Sequence, residues 1–215
     1  MKISKIEKIK FKKNLFKIFF ENGAKLAVSV DAIVKFSIRI GIDISEDAYR
    51  EIIFYDKSKR VVSDALSLVS KRSYSVKSLQ EKLIQKGYES EYAAKALERL
   101  RDLDYLNDEK YAEAYAAYLS EKGKGELLIK LELEKQGLER SLINDVLESV
   151  KNKGDPCEQI VKILKVKFKN FNGENKNEVK RAAAFFLRRG FSCKNIVKAL
   201  RMCSQCYDCI DKLND

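Results

Sequence analysis

The stretch YLNDEKYAEAYAAYLSEKGKGELLIKLELEKQGL, Tyr105 to Leu138, starts as an amphipathic helix and then sets Gly123 and Gly125 in its middle. The residues on either side are strong helix formers, so the chain interrupts a pattern it had the means to continue. Glycine reaches backbone angles that other residues adopt only at a cost. Lys122-Gly123-Lys124-Gly125 therefore reads as the end of one helix and the turn into the next, with Gly137 ending the second.

The arrangement recurs. KLIQKGYESEYAAKAL, ELEKQGLERSLINDVL and FFLRRGFSCKNIVKAL superimpose on Gly87, Gly137 and Gly190, at spacings of 50 and 53 residues. Leu83, Leu133 and Phe186 then align before the glycine, Tyr88, Leu138 and Phe191 directly after it, and Leu97, Leu147 and Leu200 further on. Each glycine sits at a left-handed helix end, and Ser90, Ser141 or Ser192 is placed to start the following helix. A preceding helix completes each unit; that of the third is announced by Asp155-Pro156-Cys157-Glu158, a capping Asp with proline at the first helical position.

Upstream the pattern changes. KISKIEKIKF and LFKIFFENGAKLAVSV alternate with a period of two, and Glu21-Asn22-Gly23 supplies a turn. Asp31 is placed to cap a short helix through Phe36, Gly41 breaks it, and Ser45 opens a long helical segment. The expected fold is mainly α: three tandem three-helix repeats in an extended curved array, preceded by a small N-terminal antiparallel β-hairpin domain. The expected divisions are 1–45, 46–107 (a linking helix and repeat 1), 108–154 (repeat 2) and 155–215 (repeat 3).

Composition narrows the function. The net charge of +11 is concentrated at the two ends: residues 1–60 carry 14 basic against 8 acidic groups and 156–215 carry 13 against 6, while 109–155 have 8 against 10. That asymmetry suits a polyanionic partner, although lysine-rich surfaces also serve as plain solubilising charge. There is no histidine, and no nucleophile, base and orienter set can be assembled, so an enzyme is not expected. The lysine-studded start and the lack of a long apolar run predict a cytoplasmic protein, without membrane contact and with reduced thiols.

The ordered set Lys86-Gly87, then Asp104-Tyr105-Leu106-Asn107-Asp108-Glu109-Lys110-Tyr111-Ala112, then Lys122-Gly123-Lys124-Gly125, then Glu132-Leu133 to Gly137 resembles the RecX family, over residues 64–150 most clearly. The β-rich N-terminal part resembles that of longer members. The resemblance implies a regulator, not an enzyme, that binds the groove of the RecA nucleoprotein filament as a monomer and inhibits recombinase activity and filament growth. It implies no cofactor, and single-stranded DNA as a partner either directly or within the filament. Where the family usually carries arginines, this chain has Leu119, Leu128 and Lys110. Arginine to leucine removes a charge and arginine to lysine removes the planar fork, so the resemblance implies a weaker grip by the middle repeat.

The candidate contacts are Lys110, Tyr118, Lys122, Lys124, Lys165, Lys167, Lys169, Arg188 and Arg189. Lys122 and Lys124 combine charge with the exposed backbone N–H groups of a glycine turn, which suits a carboxylate or phosphate. Tyr111 and Tyr115 fall on the core stripe of their helix, and Tyr118 falls off it. Lys8, Lys10, Lys12 and Lys13 with Phe11, and Lys162, Lys165, Lys167 and Lys169 with Phe168 and Phe171, interleave cations and aromatics. Either set could bind phosphates and stack bases, or be a wet strand edge and a solvated helix face. Cys203, Cys206 and Cys209, with Cys193, have a spacing compatible with zinc or iron-sulfur ligation, yet also fit one helical stripe of plain thiols; no metal is expected. The competing functions are a free-standing DNA-binding helical-repeat module and, more remotely, a metal or redox protein.

Overall fold

The computed structural model describes residues 1–10, 14–169 and 171–203. Three strands come first: β1 (Ile3–Lys8), β2 (Leu15–Phe20) and β3 (Lys25–Ser29), an antiparallel meander in the order β1-β2-β3. The expected hairpin is its β2–β3 half, turned through Gly23 at φ +84°, and β1 adds a third strand. One face of the sheet buries Ile3, Ile18, Phe20 and Val28 against Ala32 of α1 (Val30–Lys35) and Ile52 of α2 (Glu46–Val69). The cap of α1 is Ser29 rather than Asp31, which lies inside the first turn; Ser45 caps α2 as its sequence suggests, accepting from the Ala48 N–H. The buried carboxylate of Asp56 accepts from the Ser29 N–H at 2.7 Å, tying the end of β3 to α2.

At 24 residues, α2 does two jobs. Its first half covers the sheet, and its second half packs with α4 (Ser90–Asp102), where Val61 and Ala65 are buried, as are Ala93, Ala96, Leu97 and Leu100. Between them runs α3 (Val76–Gln85). The second triplet is α5 (Asp108–Glu121), α6 (Glu126–Lys135) and α7 (Arg140–Lys153), around Ala112, Ala116, Leu119, Ile129, Leu133, Ile143 and Leu147. The third is α8 (Pro156–Lys167), α9 (Lys176–Arg188) and α10 (Cys193–Cys203), around Ile160, Leu164, Val179, Phe186, Phe191, Ile196 and Leu200. The chain divides into two compact units: one holds Met1–Arg72 and Leu79–Leu106, the other Ser73–Ser78 and the chain from Asn107 onward.

The aligned glycines share one local mechanism. Gly87, Gly137 and Gly190 have φ of +92°, +76° and +82°. In each case the residue after the glycine donates its N–H back to the carbonyl of the aligned apolar residue before it: Tyr88 to Leu83 at 3.2 Å, Leu138 to Leu133 at 3.4 Å, Phe191 to Phe186 at 3.1 Å. This is the Schellman turn, and the apolar pair that brackets it is why the repeat shows in the sequence. The starts of the following helices differ from expectation. The N-cap lies two residues after each glycine, at Glu89, Glu139 and Ser192. Only Ser192 is a capping serine, accepting from the Asn195 N–H; Ser90 is the first residue of α4, and Ser141 lies inside α7.

Candidate binding surfaces

The Lys122–Gly125 turn is where the second and third triplets meet. Gly123, at φ +72°, donates to the Ser120 carbonyl at 2.8 Å, and Lys124 donates to the Leu119 carbonyl at 3.0 Å, which closes α5. The third triplet also donates to carbonyls of this turn. Arg189 Nη1 donates to the carbonyls of Lys122 at 3.0 Å and Gly123 at 3.1 Å, and Gln159 Nε2 donates to that of Ser120. Gly125 is a glycine for a different reason. Its φ is an ordinary −83°, but an added Cβ would stand 2.5 Å from the Gly190 carbonyl. Its N–H donates to the Arg189 carbonyl at 2.7 Å, and the Leu127 N–H to that of Gly190 at 3.0 Å.

The same joint occurs earlier in the chain. Ser75, fully buried and directly before α3, donates its Oγ to the Gln136 carbonyl at 2.7 Å, as Gly125, directly before α6, donates to that of Arg189. Gln136 and Arg189 each precede the Schellman glycine of the following repeat. A Cβ on Gly137 would meet the Lys77 side chain at 2.7 Å, and one on Gly190 would meet Leu128 Cβ at 2.5 Å. In both places one turn approaches another closely, and neither Gly137 nor Gly190 has room for a Cβ.

Against this frame the candidate residues separate. Tyr118 is 52% exposed, stacked on Tyr115 at 6.4 Å, with Lys122 Nζ 5.6 Å from its ring; Tyr115 stacks in turn on Tyr111 at 5.6 Å. Tyr111 and Tyr115 are half-buried against the second core, and Tyr111 donates its hydroxyl to Gln136 Oε1 at 3.2 Å. Lys110 is exposed in the first turn of α5, and Lys122 at its end. Lys124 is half-buried and lines a cleft of about 410 Å³ together with Glu113, Glu121, Glu126 and Lys162. Lys165, Lys167, Lys169 and Arg188 are exposed. Arg189 is occupied inside the molecule, on the α5 carbonyls and 4.8 Å from the Phe185 ring.

Several sequence readings change here. Leu119 is 7% exposed within the second core, and Leu128 abuts Gly190. Both leucines have packing roles, so a surface charge lost at Leu119 is not the right description of that position. Phe168 and Phe171 pack against the third core, with Phe168 edge-on to Phe185 at 5.7 Å, and do not form a stacking platform among the lysines of α8. Of the N-terminal cluster, Lys8 and Lys10 are exposed, whereas Phe11, Lys12 and Lys13 lie outside the described residues. So do Cys206 and Cys209; among the described residues no group of three His, Cys, Asp or Glu is placed to hold a metal. Burial pushes the thiols of Cys157 and Cys203 up, while Cys193 is exposed. No helix among the described residues is long and apolar enough to cross a membrane.

Comparison with known proteins agrees with this architecture. The family model described as RecX, first three-helix domain, matches residues 63–100, and that of RecX, second three-helix domain, matches 107–147. The regulatory protein RecX of Bacillus licheniformis is 31% identical over 201 residues, covering 93% of this chain and 76% of that protein. The chain belongs to the RecX family. The RecX of Caldanaerobacter subterraneus subsp. tengcongensis is 27% identical over 89% of this chain and 94% of its own length. A crystal structure of regulatory protein RecX, 21% identical, shares the fold with a TM-score of 0.65 over 94% of this chain and 98% of its own. The structure of RecX from Lactobacillus salivarius gives 0.60 at 25% identity, over 69% of this chain and 97% of its own.

Proposed function

We propose that this RecX chain binds in the groove of the RecA nucleoprotein filament and inhibits recombinase and ATPase activity and filament growth. The observation that carries this, beyond family membership, is the glycine joint. It fixes the second and third repeats to each other through the contacts of Lys122–Leu127 with Arg189–Gly190. A filament offers the same surface at regular intervals, and repeats held at a fixed offset gain avidity from contacts that are weak singly. The exposed cations Lys110, Lys122, Lys165, Lys167, Lys169 and Arg188, with Tyr118, supply such contacts. The working divisions remain 1–45, 46–107, 108–154 and 155–215, with the chain acting as a cytoplasmic monomer and single-stranded DNA met directly or within the filament. Co-sedimentation with RecA filaments assembled on poly(dT) with a non-hydrolysable nucleotide tests this reading. The chain should pellet with the filament in a salt-sensitive way. Recovery in the supernatant at every salt concentration would contradict it.

A further inference from the structure

The open face of the N-terminal sheet carries a constellation that the reading above does not use. In β2, Ile18 and Phe20 point into the core at 0% and 3% exposure, so Phe19 points out of the opposite face. Its register partners are Lys5 on β1 and Lys25 on β3, which puts a lysine on each side of the ring in line across all three strands. Lys17, two residues back on the same strand, shares the face, and Lys17 and Lys25 Nζ stand 5.6 and 5.8 Å from the Phe19 centroid. Glu7, a carboxylate of β1 on this face, pairs with Lys5 at 2.5 Å and stands opposite Lys17, so cations are in excess among the described strand residues of this face. Ala27, opposite Lys17, is exposed and small, so nothing bulky rises beside the ring there.

We propose that this face binds single-stranded nucleic acid, an unpaired base stacking on Phe19 while Lys17 and Lys25 hold the phosphates on either side. An outward-facing strand position is served as well by threonine or lysine; Phe19 is half-buried there, with the Lys17 and Lys25 ammoniums over its ring, and the part of the ring left open is apolar surface that a ligand can cover. The cover must present a flat face and negative charge at once, which describes a nucleotide. Bases in a duplex are already stacked on their neighbours, so a single ring between two lysines on a sheet selects the unpaired strand.

The test is fluorescence anisotropy of a labelled twenty-nucleotide oligo(dT) with the full chain at low salt, comparing Phe19→Ala, Phe19→Leu, Phe19→Tyr and Lys17→Glu/Lys25→Glu. Loss of one stacking contact should weaken binding at least about fivefold in Phe19→Ala and Phe19→Leu, with Phe19→Tyr near the parent. The lysine reversals should weaken it further and make the salt slope shallower by about 1.4, two single-strand phosphate contacts at about 0.7 each. Circular dichroism verifies that each variant is folded. Parental affinity in both Phe19→Leu and the double lysine variant overturns the proposal, as does an absence of oligo(dT) binding by the parent. So does a parent that binds phosphatidylserine vesicles in preference to oligo(dT), or a lysine effect without any effect of removing the ring.

Discussion

Arg189 Nη1 lies 3.1 Å from the Gly123 carbonyl and, at 3.0 Å, also reaches that of Lys122, so a single guanidinium from the third repeat closes the C-terminus of α5 in the second. A cation at this end of a helix is favoured by the aligned peptide dipoles and satisfies carbonyls that have no partner within the helix. Arg189→Ala should lower stability by about 1.5–3 kcal/mol, the range for hydrogen bonds to a charged group. Arg189→Lys should recover only part, because an ammonium lacks the planar fork. Urea unfolding measures both, and an unchanged midpoint for Arg189→Ala would show that the joint does not depend on this contact.

Gly125→Ala tests the joint from the other side. By backbone angle alone the substitution is permitted, since φ is −83°. The added methyl would nonetheless meet the backbone of Gly190 and Phe191, which has no flexible end to move aside. Overpacking of this kind costs about 1–3 kcal/mol. Faster hydrogen exchange at the Leu127 amide, whose partner is the Gly190 carbonyl, is the local signature. Gly125→Ala with parental stability and parental exchange would mean that the turns do not touch in solution.

How much of this was legible in the sequence depends on how local each feature is. The Schellman ends at Gly87, Gly137 and Gly190 are visible because the glycine and both members of its apolar pair lie within a few residues. The caps at Ser45 and Asp155 are legible for the same reason. Ser90 and Ser141 mislead because serines recur near the glycines at offsets that miss the cap. The joint is invisible in sequence, since Gly125 and Gly190 are matched only by folding; the one hint is a second glycine where the turn itself needs only Gly123. Leu119 was misread for a related reason: a charge pattern transferred from a family says nothing of which helix face a position occupies. The outward face of Phe19 was signalled by the period-two alternation of β2, but its lysine neighbours come from other strands.

Charge reversal at Lys165, Lys167 and Lys169 should weaken inhibition of RecA by at least about tenfold, or 1.4 kcal/mol, without unfolding the chain. These side chains are exposed, and the substitutions leave the packed Phe168 and Phe171 in place. Reversal at Lys122 tests the second repeat and is confined to a side chain resting on Tyr118. If the Lys122 variant is inactive while the triple variant inhibits normally at low and moderate salt, the second repeat is the anchor and the third is not.

Cys157 and Cys193 should differ sharply in reactivity. Burial raises the Cys157 pKa and shields its sulfur, while Cys193 stands exposed at the start of α10. Since the thiolate is the nucleophile, iodoacetamide at about pH 8 should modify Cys193 well before Cys157, as read by peptide mapping. Equal rates would mean that the third core opens readily.

The central claim is that this RecX chain acts on the RecA filament itself. Its most direct test is the single-stranded-DNA-dependent ATPase of RecA, with preformed filaments titrated by the parent chain and by the Phe19→Ala variant. Both should reduce ATP hydrolysis, at concentrations where Phe19→Ala scarcely binds bare oligo(dT). If neither reduces it, even where the parent saturates bare single-stranded DNA, the chain does not inhibit the filament and the account fails.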